Sequence, residues 1–259
     1  MESVNKDPGC RPLSGKPSLR HLRLITLNLW HAVYSFLGQS PKIFRLLVRM
    51  GLVGSELMDE RTELVIEGFP RSGNTFAVTA FEMAQPRPVL VAHHSHNAVR
   101  VMLAGRKGIP TLVLVRRPED AVLSLVIRDS SLSIKQALGN YIRFYTRIKP
   151  DYRGYVVARF DDVTRNFGEV IDRINQRFGT AFSVFEHNEK NVGALFRLAE
   201  DLDLYTSGRS EVSEATVARP SSERERTKAV LRRELEKEDV KYLLAKVQAL
   251  YRDFTAQPS

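Results

Sequence analysis

Residues 63–84, ELVIEGFPRSGNTFAVTAFEMA, carry the reading of the fold. ELVIEG is a short apolar run closed by a glycine, the pattern of a buried strand, and NTFAVTAFEMA places its apolar residues at helical spacing. Between them Gly68, four residues, Gly73 and then Thr75 follow G-x-x-x-x-G-K-[ST], a loop whose backbone N–H groups and helix N-terminus cradle phosphates. Asn74 stands where that pattern has its lysine. The loop keeps its anion-binding backbone and carries a cation earlier, at Arg71, but lacks the group that reaches β- and γ-phosphates.

Working outward, PVLVAHH (88–94) and PTLVLVR (110–116) are two further Val/Leu-rich strands, separated by the helical NAVRVMLAGRKG. Strand, helix, strand, helix, strand is the alternation of an α/β fold, a central parallel sheet flanked by helices on both faces. Pro118 opens a helix, SIKQALGNYIRFYTRI from 133 forms another, and GYVVARF (154–160) is the fourth strand. DVTRNFGEVIDRINQRFG reads as one helix ended by Gly179, and Val240, Leu243, Leu244, Val247, Tyr251 and Phe254 mark an amphipathic C-terminal helix. Residues 207–239 are dense in charge, with ARPSSERERTK a loop followed by a solvated helix. In a nucleotide-hydrolysing protein the strand TLVLV would end in a magnesium-binding Asp; here it delivers Arg116 and Arg117, which turns a metal site into an anion site.

Composition agrees with one large domain. The chain has 259 residues, 43% of them hydrophobic, and 39 Lys and Arg against 30 Asp and Glu leave a formal charge of +9. That balance favours anionic partners without choosing among them. Cys10 is the only cysteine, so there is no internal disulfide and no cysteine metal cluster, in keeping with a reducing cytoplasm. The N-terminus differs from the rest: residues 11–50 hold seven Lys or Arg and no acid. LITLNLWHAVYSFLG (24–38), with Leu22, Ile25, Leu29, Val33 and Phe36 at helical spacing, is too short and too polar to span a bilayer. It reads as a helix docked on the core or, alternatively, as a peripheral contact with anionic lipid. Ser40 and Pro41 open a second helix, KIFRLLVRMGL. The expected organisation is a basic amphipathic helical segment over 1–56 and a single α/β domain over 57–259.

These residues resemble a family, the sulfotransferases that use 3′-phosphoadenosine 5′-phosphosulfate (PAPS), whose fold is like that of P-loop nucleoside kinases. PRSGNTF (70–76) resembles the family's P-[KR]-S-G-[ST]-T motif with its following aromatic, and RRPEDAVLS (116–124) resembles its R-x-P-x-D-x-x-x-S pattern. ARFDDVTRNFGEVIDRINQRFG is similar to the family's strand, acidic pair and helix, so the likeness covers roughly 60–180. It implies a P-loop kinase-like sulfotransferase domain, a PAPS cofactor leaving as 3′,5′-ADP, and no metal. The 5′-phosphosulfate would lie on Arg71, Ser72, Gly73, Asn74 and Thr75, with Arg71 stabilising the leaving oxygen. Arg116 and Ser124 would grip the 3′-phosphate, and Phe76 and Phe160 would lie against adenine. Asp120, early in its helix, would serve free backbone N–H groups.

The acceptor hydroxyl or amine needs a base, and VAHHSHNA places three histidines at a strand's C-terminal end. His94, 22 residues before Arg116, matches the spacing of the family's catalytic histidine and is favoured over His96 and then His93. Glu67 and Asp161 are carboxylate alternatives. The family's C-terminal R-K-G loop has no clear counterpart; Arg219 is the nearest candidate for the 3′-phosphate. Variable segments 95–108, 128–150 and 185–215 are expected to shape the acceptor pocket for a small molecule, a glycan or a lipid-linked group, with no nucleic acid partner; Tyr141, Tyr145, Arg143 and Arg147 there suit stacking on a ring or pairing with an acidic group, and equally an ordinary amphipathic helix. A nucleotide or small-molecule kinase with a rearranged loop, and a catalytically silent nucleotide-binding scaffold, are the competing readings.

Overall fold

The computed structural model describes residues 61–256. The N-terminal segment 1–56, both of its expected helices and Cys10 lie outside the described residues. Strands β1 (Leu64–Gly68), β2 (Val91–His93), β3 (Thr111–Val115) and β4 (Val156–Arg159) form one sheet. All are parallel, in the order β2-β1-β3-β4, with Ile66 opposite His93 and Leu112, and Val113 opposite Val157. Helices α1 (Asn74–Ala84), α2 (Ala98–Lys107), α3 (Pro118–Arg128) and α4 (Ile134–Ile148) make the connections. After β4 come α5 (Phe160–Arg165), α6 (Phe167–Phe178), α7 (Glu189–Ser207), α8 (Ser222–Leu235) and α9 (Glu238–Thr255).

Alternation along the strands explains the two layers of helices. On β3, Leu112 and Leu114 join Leu64, Ile66 and Ala158 in a core closed by α1, α5, α6 and α7. Val113 and Val115 point the other way, into a core shared with α2, α3, α4 and α9. Both faces are buried, so these strands read as continuous apolar runs rather than as alternating ones. The chain steps from β1 to β2 on one side and from β2 back across β1 to β3 on the other. Right-handed crossovers in opposite directions put successive helices on opposite faces. They also leave a crevice at the C-terminal ends of β1 and β3, where the strand order reverses.

Gly68 is required where β1 meets β3. A Cβ there would lie 2.6 Å from the Leu114 carbonyl oxygen, so only glycine lets the two strand ends approach.

Several elements differ from expectation. β2 covers 91–93 only, and β4 stops before Phe160, which begins α5. The single helix expected over 162–179 is two, broken at Asn166, whose backbone (φ −154°, ψ 81°) leaves the helical region. Helix α7, 19 residues long, occupies a stretch assigned only to a variable pocket. Among the described residues no helix is long and apolar enough to cross a membrane.

Candidate functional site at the switch of the sheet

The loop after β1 turns sharply, Ser72 N–H donating to Phe69 O at 3.1 Å, and enters α1 through Gly73. Gly73 is left-handed (φ 96°, ψ 16°), caps α1 with no side chain, and is followed by a first turn free of acids. A helix N-terminus of this kind presents orphan N–H groups and the positive end of the dipole to the crevice. Asn74 faces inward rather than outward. Its Nδ2 donates to Phe69 O at 3.3 Å, which braces the loop from beneath and replaces the direct phosphate contact expected of its side chain. Phe76 is also turned inward: 5% exposed, it packs against His187 and Phe196 and offers no open face to the crevice. Phe160 does reach the loop, its ring edge lying where a Cβ on Gly73 would come within 3.1 Å.

Cations gather at this edge. Arg116, at the end of β3, stacks over the Phe160 ring at 3.8 Å and donates from Nη1 to the Arg71 carbonyl at 2.9 Å. Arg71 donates from Nε to Ser124 Oγ at 2.9 Å, and from Nη1 and Nη2 to the carbonyls of Thr216 (3.0 Å) and Val217 (3.4 Å). Ser124, on α3, is fully buried beneath it. Burial, then the neighbouring Arg224, Arg128 and Arg116, push the Arg71 guanidinium down to about 9. Burial lowers Arg116 too, against the opposing pull of Asp120 and Glu225.

Two of these cations come from α8 and were missed in the sequence. Arg224 donates to the carbonyls of Glu214 (2.8 Å) and Val217 (3.0 Å) and to that of Arg219. Lys228, 2% exposed, pairs with Glu225 at 2.6 Å; burial lowers its pKa, Glu225 opposes this, and Arg116 adds to it. Their signal was periodic: Ser221, Arg224, Lys228 and Leu235, all buried, share one face, and the stretch 222–228 expected to be loop is the first half of α8, since its buried residues recur at helical spacing. Arg219, the residue chosen instead, is committed elsewhere. Its guanidinium binds Glu200 and, at 2.8 Å, Glu214, so two carboxylates already satisfy it.

The loop after β2 carries the histidines, and Glu67 holds it. This carboxylate is 0% exposed and accepts from Ser95 N (2.9 Å), Ser95 Oγ (2.6 Å), His96 N (3.0 Å) and Arg100 Nη1 (3.2 Å). Arg100, 4% exposed, also donates to His93 O at 2.9 Å. With four donors on it, three of them on Oε1, Glu67 holds the loop in place. His94 Nε2 lies 3.1 Å from Thr75 Oγ1, and His94 Nδ1 lies 2.6 Å from His93 Nδ1. His96 Nδ1 lies 2.8 Å from Gly68 O, which can only accept, so that nitrogen carries the proton. His94 keeps an exposed edge, yet burial of its ring, with His93 and His96 beside it, pushes its pKa down to about 3. Burial lowers His96 as well. Both are therefore neutral near pH 7.

Arg71 (φ 68°), His94 (57°) and His96 (49°) are the three non-glycine residues of positive φ among those described. All lie in these two loops. Left-handed backbone in residues with a Cβ is costly and concentrates where a site fixes side chains.

Of the two readings of Tyr141 and Tyr145, pocket aromatics or the buried face of an amphipathic helix, the second holds. Tyr141 and Tyr145 are wholly buried, and their hydroxyls donate to the carbonyls of Arg116 (2.9 Å) and Leu114 (2.7 Å). They set the exit of β3 and have no face for a ring; burial raises the pKa of both. Arg143 is exposed and bonded to Asn140, and Arg147 is half-buried. Asp120 pairs with Arg117 (3.4 Å) and Arg232 (3.3 Å) instead of capping backbone N–H groups. Asp161 is 3.9 Å from Arg159 and, with Arg116, Arg117, Asp120, Phe160 and Tyr251, lines a cavity of about 60 Å³.

Neither the models of protein families nor the curated proteins contain a match to this chain.

Proposed function

We propose that the protein is a sulfotransferase, moving a sulfuryl group from PAPS to an acceptor hydroxyl or amine and releasing 3′,5′-ADP. The observation that carries this reading is the crowd of cations at the switch point. Besides burial, Arg224, Arg128 and Arg116 lower the Arg71 guanidinium, Arg224 lowers Arg116 and Arg116 lowers Lys228, and the strand end that would supply a metal-binding carboxylate supplies Arg116. Like charges held together out of water cost free energy, and an anion with charge at both ends offsets that cost. The uncapped start of α1 fits one end of such a ligand, and Arg116, Ser124, Arg224 and Lys228 fit the other.

The cofactor supplies an activated sulfuryl group, whose single charge on transfer asks less of the protein than a γ-phosphate. The loop 71–75 would orient it through backbone N–H groups. Arg71 would offset negative charge on the departing oxygen, and being a guanidinium it would donate no proton. His94, neutral and 3.1 Å from Thr75 on the loop, would take the acceptor's proton as the new S–O or S–N bond forms. Phe160, covered by Arg116 on one face, would bound the adenine side. The acceptor we propose is a small molecule, a glycan or a lipid-linked group.

Titration of the purified protein with 3′,5′-ADP, 5′-ADP and Mg-ATP tests the proposal. Preference for 3′,5′-ADP in the absence of metal supports it. Preference for Mg-ATP would favour a kinase with a rearranged loop, and no binding of any of the three a silent scaffold.

A further inference from the structure

We infer that His93 and His94 form a two-imidazole proton relay, in which His93 carries to solvent the proton that His94 takes at the loop. This rests on the assignment of His94 as the base. The geometry of the pair is specific. Two bare nitrogens cannot face each other at 2.6 Å, since their lone pairs repel, and two protonated ones cannot either, so the Nδ1 atoms of His93 and His94 hold one proton between them. The other nitrogen of His94, Nε2, is 3.1 Å from Thr75 Oγ1, at the phosphate loop. The pair therefore spans from the loop outward to His93, which is partly exposed. Its position is fixed from behind, because Arg100 clamps the His93 carbonyl and Glu67 clamps the backbone of Ser95 and His96.

The proton count closes. Before transfer, His94 carries its proton on Nδ1, donated to His93 Nδ1, and accepts at Nε2; His93 carries its own on Nε2. As the acceptor O–H or N–H breaks, its proton binds His94 Nε2. The His94 Nδ1–H bond breaks as a His93 Nδ1–H bond forms, so the charge crosses to His93 and does not stay on His94. His93 then releases its Nε2 proton to water, leaving both rings neutral in the opposite tautomers; before the next turnover water reprotonates His93 Nε2, the shared proton returns to His94 Nδ1, and His94 Nε2 gives its proton to water entering the emptied site. Positive charge on His94 is opposed by burial and by the groups around it, namely His93 beside it, His96 on the same loop, Arg128 on α3 and Arg100 on α2. His93 offers that charge a way out. Without such an exit, a ring set among cations is a poor resting place for a proton.

The first test needs no nucleotide. With ¹⁵N-labelled histidine in the full chain, two-bond ¹H–¹⁵N correlation spectra show which ring nitrogens carry protons. A shared proton predicts one protonated and one bare Nδ1 in the His93–His94 pair. It also predicts that His93→Phe, which deletes the acceptor of the His94 Nδ1 proton, changes the His94 tautomer. Unchanged His94 signals in His93→Phe would overturn the relay.

The second test follows sulfate release from PAPS with water as acceptor, in weakly buffered solution. His93→Ala should lower kcat roughly 10- to 100-fold, at or below the low end for a positioned acid/base group, with little change in KM. Added imidazole should restore it as its concentration rises, whereas His93→Asn, which can orient His94 but cannot pass a proton, should stay slow. A kcat equal to wild type, or a loss that imidazole leaves untouched, overturns the relay. A protein that binds no 3′,5′-ADP would refute the sulfotransferase reading instead, while the spectra still decide whether the proton is shared.

Discussion

Replacing Glu67 by Gln changes one atom type at the centre of four hydrogen bonds, and its cost follows from their geometry. Oε1 receives Ser95 N, Ser95 Oγ and Arg100 Nη1, while Oε2 receives His96 N. An amide has one accepting oxygen. Whichever way it turns, its NH₂ meets at least one donor head-on, and Arg100, 4% exposed, keeps its charge with no carboxylate beside it. Breaking a buried pair from one side costs about 3–5 kcal/mol, against about 5–15 kcal/mol for a whole domain. At about 2–4 °C per kcal/mol for a domain of this size, the melting temperature should fall by roughly 6–20 °C. Thermal or urea unfolding reads this directly. The double variant Glu67→Leu with Arg100→Met removes the stranded charge, so it should lose less than the two single variants summed, by about 0.5–3 kcal/mol. It should not return to wild type, because Ser95 and His96 N–H remain without an acceptor. A fall under about 2 °C for Glu67→Gln, or strict additivity in the double variant, would refute the account of a structural carboxylate. Intact stability with abolished turnover would instead make Glu67 the base.

Arg116→Ala should weaken 3′,5′-ADP binding by about 2–4 kcal/mol, or roughly 30- to 1000-fold in Kd by calorimetry, and weaken adenosine 5′-phosphosulfate, which feels only the lost brace on the Arg71 carbonyl, by a clearly smaller factor. Equal losses for both ligands would mean that its contacts with Phe160 and the Arg71 carbonyl serve the fold. His94→Ala should lower kcat by roughly 10²- to 10⁴-fold with 3′,5′-ADP affinity retained, and His96→Ala should cost less. With its pKa at about 3, the acidic limb due to His94 should lie far below the ordinary histidine range, and its survival in His94→Ala would refute the assignment. Stability should also depend on pH: His94, His96 and His187 are all depressed, so the unfolded chain binds more protons below about pH 6.5 and stability falls from there as pH drops. A melting temperature that stays level from pH 8 to pH 5 would contradict these environments.

The sheet was legible because its strands are buried on both faces. LVI at 64–66 and LVLV at 112–115 show as apolar runs, and the glycine-rich turn between strand and helix is a local signal. The cation at the end of β3 was visible for the same reason. Long-range satisfaction is what the sequence hid. Nothing near Glu67 announces that Ser95, His96 and Arg100, 28 to 33 residues on, will fill its lone pairs. Tyr141 and Tyr145 could be read either as binding aromatics or as a buried helix face because their partners are main-chain carbonyls on another element, which leave no mark in composition. Arg219 and Arg224 stand five residues apart in one charged tract, and only the folded positions of Glu200 and Glu214 separate a spoken-for guanidinium from one beside the crevice. The break at Asn166 was missed because apolar periodicity continues through it, and the separate helices meet the same core.

The contact between Arg116 Nη1 and the Arg71 carbonyl has a consequence for any redesign of ligand choice. It makes the guanidinium of one loop a buttress for the backbone of the other, so the halves of the crevice form one mechanical unit. Altering Arg116 to accept a ligand without its second charged group would also loosen the left-handed turn at Arg71, and reshaping that turn would swing Arg116 off Phe160. Selectivity at either end is therefore inherited by both. A variant library that samples positions 71 and 116 together should find solutions that no stepwise path through single changes can reach.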